Sequence, residues 1–238
     1  MGWASDDFGG RIVLPLLVAA VGLAVGWAVW ELPAQSAGLR ELVLAHLEQS
    51  GVKSPVTAVL LNFRGYDTLL EVAVLLLAVL GSWALGRETL GLDHHSAGPV
   101  LRALLHELLP VMVLVAGYLL WLGGHAPGGA FQAAAVLAAG GILLVLAGRQ
   151  IPGPLIGWPW CGLLCLGFLV FMAVALGSMA SGGHFLQYPA GWAKPLILLI
   201  EATLTLSIAA ILLALFSGGR PAAEAPEQSE NSSSREDR

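Results

Sequence analysis

Charged residues are scarce in this chain, and their scarcity excludes most classes of soluble protein. Only 11% of the 238 residues are Asp, Glu, Lys or Arg, whereas 57% are hydrophobic. A soluble globular domain carries roughly 25% charged residues, so this composition is typical of a membrane protein. Basic tracts and phosphate-binding loops are also missing, which argues against nucleic acid as a partner.

Cysteine is rarer still, and its rarity excludes a disulfide framework. The two cysteines, Cys161 and Cys165, lie four residues apart inside one apolar run. This spacing predicts two small residues that pack on one face of a helix. Two adjacent histidines, His94 and His95, cannot both face one site on a helix. We therefore predict no metal site and no cofactor.

Six long apolar runs predict an all-α protein, a polytopic membrane bundle of about six transmembrane helices. About 20 residues at a rise of 1.5 Å cross a hydrocarbon core of about 30 Å. The helices are predicted over residues 12–30, 67–86, 103–122, 131–147, 158–180 and 193–216. Residues 36–50 predict a short amphipathic helix that ends at Gly51 and lies either at the membrane surface or against a partner subunit.

The basic residues are distributed unevenly between the two sides of such a bundle. With six spans, the side that holds both termini carries seven of the 11 Lys and Arg residues, which places both termini in the cytoplasm. The seven are Arg11, Arg87, Arg102, Arg149, Arg220, Arg235 and Arg238, and the other four are Arg40, Lys53, Arg64 and Lys194. The tail, residues 218–238, is rich in Pro, Ser and charge and is predicted to be disordered.

The second apolar run opens with three ionisable residues, Arg64, Asp67 and Glu71. Asp67 and Glu71 are four residues apart and share one face of a helix, and Arg64 can pair with Asp67. Ionisable residues at membrane depth are rare and usually functional, so Glu71 is a candidate for an ion path. In the alternative interpretation, Thr68 and Glu71 form a capping box, and Glu71 only closes the start of the helix.

A glycine-rich turn, GGHAPGG at residues 123–129, separates the third and fourth runs. Glycine allows close approach of backbones, and proline fixes φ. His125 is the only titratable group of the turn, and a lone histidine there is more often a hydrogen-bonding residue than a ligand. We therefore predict a structural role for the turn. Glu201, about two turns into the last run, is either part of an ion path or a packing residue.

Two segments resemble subunits of the multisubunit Mrp-type cation/proton antiporters and of the membrane arm of membrane-bound hydrogenases. Residues 54–81 contain FRGYDTLLE and resemble an MbhE-type domain. Residues 118–144 contain GGHAPGGAFQ and resemble the start of an MnhB/MrpB-type subunit, whose usual pattern is GHxxPGGGFQGG. Ala130, Ala133 and Ala134 depart from that pattern. Residues 194–212 are similar to the last helix of the B-type subunit.

The resemblance implies an MbhE-like domain at residues 1–90 and an MnhB-like domain at residues 91–217. It further implies a non-catalytic subunit of a Na⁺/H⁺ antiporter in the bacterial inner membrane. The implied partners are other subunits, the lipid bilayer, Na⁺ and H⁺. The ion-path candidates are Glu71, Asp67 and Glu201. The residues of the structural motifs are Arg64, Gly65, His125, Pro127, Gly128, Gly129, Phe131 and Gln132.

Two other functions stay open at this point. The same helices would serve as a membrane-arm subunit of an energy-converting hydrogenase or a related redox-driven ion pump. They would also serve as a scaffold that moves no ion, with its acidic residues used for caps and packing. No lysine lies inside an apolar run, since Lys194 is at an edge. We therefore predict that the chain is not an enzyme and is not a self-sufficient pump.

Overall fold

A computed structural model describes residues 7–32, 38–85, 98–148, 158–189 and 191–217 of the chain. Within these ranges the regular structure is entirely helical, which confirms the all-α class. The chain divides into two compact units, residues 1–41 and 42–238. The predicted tail and the two adjacent histidines lie outside the described residues.

The first unit contains the long helix α1, Asp7–Trp30. It ends at Trp30, as its apolar run predicts. Just past this end, the indole Nε1 of Trp27 donates a hydrogen bond of 2.9 Å to the carboxylate of Glu31. The short helix α2, Arg40–Ala45, begins in this unit and ends in the second.

The predicted amphipathic helix over residues 36–50 is broken in its described part. Helix α2 is followed by a 3₁₀ turn, Leu47–Ser50. The hydroxyl of Ser50 donates to the Leu47 carbonyl at 2.6 Å, which closes the turn locally and competes with a longer helix. The prediction that Gly51 stops the segment is confirmed, because Gly51 has a φ of +77°.

A short helix, α3 (Pro55–Ala58), leads through a π-helical turn (Val59–Phe63) into α4, Gly65–Ala84. Ser54 starts α3 because its hydroxyl accepts a hydrogen bond of 3.4 Å from the Thr57 amide. Pro55 follows at the first helical position, where its missing N–H costs nothing. The π turn interrupts the normal hydrogen-bonding ladder. The Val59 carbonyl accepts from the Arg64 amide at 2.7 Å, whereas the Leu60 and Leu61 carbonyls accept from side chains.

The remaining helices are α5 (Pro99–Leu122), α6 (Ala130–Leu146), α7 (Trp158–Ala180) and α8 (Ala193–Ser217). Four segments of the described chain are long and apolar enough to cross a membrane: Gly65–Ala84, Ala103–Leu122, Trp158–Ala180 and Ala193–Ser217. Helix α6 and the Pro15–Trp30 part of α1 are apolar but shorter. The chain is therefore a multi-pass membrane protein built from the apolar segments that the sequence predicts.

Helix α8 is the centre of the second unit. Half of its apolar window (50%) is buried inside the protein, compared with 11% for α5. It packs against α4, α6 and α7. Gly167 of α7 allows a close approach to α8, since a Cβ there would lie 2.8 Å from a side-chain carbon of Leu204. Small residues also bring α6 close, as the sequence predicts, because Ala133 and Ala134 are fully buried.

Candidate ion-path site

The start of α4 carries the ionisable residues that the sequence singled out. Arg64 and Asp67 form an ion pair, as predicted, through Nη2 and Oδ2. Their side chains are 68% and 46% exposed, so the pair adds little to stability and mainly holds the Asp67 charge in place. Gly65 lies between them in sequence and is buried under Leu186, whose Cδ1 would be 2.8 Å from a Cβ at this position. A larger residue there would push the Leu186 side chain aside.

Glu71 does not cap α4, so the capping-box interpretation is wrong. The helix begins at Gly65, and its N-cap residue Arg64 makes no side-chain capping bond. Thr68 lies inside the helix, and its hydroxyl donates to the Leu60 carbonyl at 2.6 Å. Because the backbone is already helical before Asp67, Glu71 lies almost two turns from the helix start. At that distance its carboxylate cannot reach the first-turn amides.

Two side chains donate hydrogen bonds to backbone carbonyls of the π turn. The hydroxyl of Thr68 donates to the Leu60 carbonyl, and the hydroxyl of Tyr188 donates to the Leu61 carbonyl at 2.7 Å. Burial raises the pKa of Tyr188 above its usual range, so its hydroxyl stays protonated and remains a donor. Tyr188 belongs to the loop before α8, and the neighbouring Leu186 adopts a φ of +59°. This loop therefore fixes the shape of the chain where α3 passes into α4.

A cavity of about 240 Å³ opens beside this turn, and we call it the carboxylate cavity. Glu71 of α4 and Glu201 of α8 both line it. Thr57, Thr68 and Gln132 also line it, and this volume has room for several water molecules. The cavity therefore brings polar groups from the two predicted motifs and from α8 to one place in a membrane protein.

Glu201 rests against the glycine-rich turn at residues 123–129. The side chain is buried, with 5% of the residue exposed. A Cβ at Gly123 or Gly129 would lie 3.0 Å or 2.8 Å from Oε1 of Glu201, so only glycine permits this contact. The backbone amide of Ala130, at the start of α6, lies within hydrogen-bonding reach of the carboxylate. The N-terminus of α6 therefore presents partial positive charge to Glu201.

The same turn is tied to the segment that leads into α3. The hydroxyl of Thr57 donates to the Gly123 carbonyl. The amides of Lys53 and Ser54 both donate to the Gly124 carbonyl, at 3.0 Å and 3.3 Å. These bonds link residues 53–57, just before the π turn and α4, to the glycine turn, and they bring the two motifs to one cavity.

A second cavity, of about 380 Å³, lies on another side of Glu201, and we call it the lysine cavity. Lys53 and Lys194 line it together with His125, Trp121 and Glu201. The imidazole of His125 packs near the indole of Trp121, with ring centroids 5.3 Å apart. Glu201 is thus part of the wall of both cavities.

The structure separates the predicted site residues into groups. Glu71, Glu201, Gly128, Gly129, Phe131 and Gln132 line the carboxylate cavity. His125 lines the lysine cavity, whereas Asp67, Arg64, Gly65 and Pro127 are not among the described residues that line either one. The sequence did not single out Thr57 or Tyr188, and it pointed to Thr68 only as a helix cap and to Lys53 only as a residue that bears on membrane orientation. Hydroxyls within an apolar run are a weak signal for Thr57 and Thr68, and no local pattern identifies Lys53 or Tyr188 as site residues.

The described residues contain no group of three or more His, Cys, Asp or Glu side chains that would hold a metal ion. An ionised carboxylate is able to take up a proton or to attract a cation.

Several known proteins are similar to this chain in sequence or in fold. An uncharacterised protein of Methanocaldococcus jannaschii, MJ1307, is 31% identical over 179 residues, which cover 63% of this chain and 64% of the relative. The chain thus spans less than two thirds of that protein.

Two solved structures have a similar fold. A chain of the membrane-bound sulfane sulfur reductase, an archaeal respiratory membrane complex, has a TM-score of 0.64 and 26% identity. The match covers 88% of this chain and 97% of that one. A chain of the Mrp complex from Dietzia sp. DQ12-45-1b has a TM-score of 0.63 and 25% identity, over 95% of this chain and 27% of that one.

The family model described as a domain related to the MnhB subunit of Na⁺/H⁺ antiporter matches residues 100–219, which is just over half of the chain. This stretch includes the glycine turn, α6 and Glu201. The chain therefore belongs to the family of proteins with a domain related to the MnhB subunit of Na⁺/H⁺ antiporters.

Proposed function

We propose that this chain is a non-catalytic membrane subunit of a multisubunit Na⁺/H⁺ antiporter and that it supplies Glu71 and Glu201 to the ion path. One observation carries the proposal. The two carboxylates are far apart in sequence, yet they line a single cavity within a set of apolar helices. A pair of carboxylates that line one cavity suits the stepwise transfer of a proton or a cation.

Asp67 has a different role in this proposal. It pairs with Arg64 and does not line the carboxylate cavity. Asp67 therefore positions the start of α4, and Glu71 is the group that exchanges the ion.

The chain depends on partner subunits for transport. Its two lysines, Lys53 and Lys194, both lie outside the interior of the apolar helices, so it lacks an internal lysine–carboxylate relay. The MnhB family match and the structural likeness to a chain of the Mrp complex support a place among other antiporter subunits. We also propose that residues 1–90 form an MbhE-like part and residues 91–217 an MnhB-like part of one fused chain.

The membrane arm of a redox-driven ion pump is the second candidate. The likeness to a chain of the membrane-bound sulfane sulfur reductase, which extends over 97% of that chain, favours it specifically. The two candidates differ in what the purified complex contains. Redox metals that copurify in mild detergent support the second candidate. Their absence, together with Na⁺-dependent dissipation of a pH gradient in vesicles, supports the antiporter.

Substitutions of Glu71 test the proposed role directly. Glu71→Gln removes the negative charge at nearly constant shape, so it should abolish antiport in vesicles, as should Glu71→Ala. Glu71→Asp should keep part of the activity because the carboxylate is retained. The abundance of the assembled complex should stay close to wild type in all three, since Glu71 makes no capping bond.

Glu107→Gln provides the matched control. Glu107 is an exposed acid on α5 and lines neither cavity. This control should leave antiport unchanged. Wild-type antiport in the Glu71→Gln complex would refute the ion-path role of Glu71.

A further inference from the structure

The lysine cavity takes no part in the function proposed so far. It shares one residue, Glu201, with the carboxylate cavity. We propose that the lysine cavity is a proton access route that ends on Glu201 and connects one aqueous side of the membrane with the carboxylate cavity. This inference deepens the proposed function and rests on it, since the next acceptor along the route is Glu71.

The position of the lysine cavity along α8 supports an access role. Lys194 is the second residue of α8, and Glu201 lies seven residues further on, so the cavity extends to a depth of about 10 Å. Lys53 lies beside it, before the start of α3. Both lysines are exposed, and their long side chains reach water from the helix ends. The cavity therefore runs from the edge of the apolar helices to a buried carboxylate.

The glycine turn makes the carboxylate the point of contact between the two cavities. Gly123 and Gly129 place no side chain between Oε1 of Glu201 and the turn. Their carbonyl and amide groups are engaged elsewhere, since Gly123 accepts from Thr57 and the Gly129 amide donates to the Leu119 carbonyl at 2.9 Å. Glu201 is therefore the titratable group at which a proton arriving through one cavity passes to the other.

The charges of the wall favour a proton over a metal cation. Lys53, Lys194 and His125 line the lysine cavity together with Glu201, and Glu71 lines the carboxylate cavity together with it. A metal cation in the lysine cavity would be held among two ammonium groups, with a single carboxylate as its ligand. A proton moves along water and the imidazole and comes to rest on the carboxylate, where its charge is cancelled.

A plug placed in the lysine cavity tests the route in the complete complex. Leu198 lines this cavity, whereas its neighbour Leu199 lines neither cavity, and both are 47% exposed. In a complex freed of other cysteines, Leu198→Cys and the control Leu199→Cys are modified with a neutral benzyl methanethiosulfonate. Two quantities are then measured: antiport in vesicles, and labelling of Glu201 by a water-soluble carbodiimide, read by mass spectrometry.

We expect modification at position 198 to lower both Glu201 labelling and antiport at least fivefold. Modification at position 199 should change each less than twofold. Unchanged labelling after modification of Leu198→Cys overturns the access route. Reduced labelling with normal antiport also overturns it, because Glu201 would then be accessible but outside the path.

The Glu71→Gln complex separates failure of this route from failure of the proposed function. If Glu71→Gln abolishes antiport while the plug does not, only the access route is wrong. If Glu71→Gln retains antiport, the proposed function is wrong. Should Leu198→Cys lower the abundance of the complex, Trp121→Cys offers a second plug position in the lysine cavity, with Tyr118→Cys, which lines neither cavity, as its control.

Discussion

Replacing Gly129 by alanine should destabilise the protein far more than replacing Gly124, which lies five residues earlier in the same turn. Gly129 has a φ of +105° and a ψ of −168°, a region that is essentially restricted to glycine. Holding another residue there costs about 1–3 kcal/mol. The added Cβ would also lie 2.8 Å from Oε1 of Glu201, and such overpacking costs about 1–3 kcal/mol. We therefore expect a loss of about 2–6 kcal/mol in the free energy of unfolding.

Gly124→Ala is the matched control for this change. A Cβ at Gly124 would meet no atom within 4 Å, and its φ lies outside the glycine-favouring region. Its effect should stay within about 0.5 kcal/mol. The assay is thermal unfolding of the purified complex in detergent, with complex abundance measured in parallel. For a chain of this size about 1 kcal/mol shifts Tm by about 2–4 °C, so Gly129→Ala should lower Tm by at least about 4 °C.

Two results would refute this reasoning. Equal Tm values for Gly129→Ala and Gly124→Ala would show that neither the backbone conformation nor the contact with Glu201 constrains the turn. Normal stability and assembly of Gly129→Ala with lost antiport would instead assign the turn a direct role in transport, against the structural role predicted from the sequence.

The remaining predictions concern the loop before α8 and the orientation of the chain. Tyr188→Phe removes one buried hydrogen bond and should cost about 1 kcal/mol, measured by thermal unfolding. Because burial raises the pKa of Tyr188, this difference should be constant below about pH 10 and shrink above it, where ionisation favours the unfolded wild type; a difference that varies between pH 6 and pH 9 would contradict it. Cysteines at Ser181 and Ser229 should react with an impermeant reagent from opposite sides, Ser229 from the cytoplasm, since the arginine asymmetry predicts that both termini lie there. Reaction of Ser229 from outside would refute that topology.

The apolar helices could be predicted from the sequence because lipid imposes a length and a composition on each span. The run at residues 158–180 coincides with α7, and the run at residues 193–216 differs from α8 by one residue. Helix starts near polar residues were less predictable. Helix α4 begins at Gly65 rather than near Asp67, because the π turn before it supplies helical geometry that no local pattern signals.

The site could be predicted only in part. Glu71 and Glu201 were identified one at a time, because a carboxylate in an apolar run is conspicuous on its own. Their common cavity depends on tertiary packing, through the bonds of Thr57 to Gly123 and of Tyr188 to Leu61. These contacts join residues 66 and 127 positions apart, and periodicity within one helix carries no information about them.

The hydrogen bond from Tyr188 to Leu61 has a consequence for biogenesis. Ribosomes add about 5–20 residues per second, so Tyr188 is made about 6–25 s after Leu61. During that interval the π turn lacks the donor that satisfies its carbonyl, and an unsatisfied backbone group in lipid costs several kcal/mol. The segment that leads into α4 must therefore stay in contact with water or with the insertion machinery while the later helices are synthesised. The π turn before α4 therefore completes its hydrogen bonding only after the loop before α8 has been made.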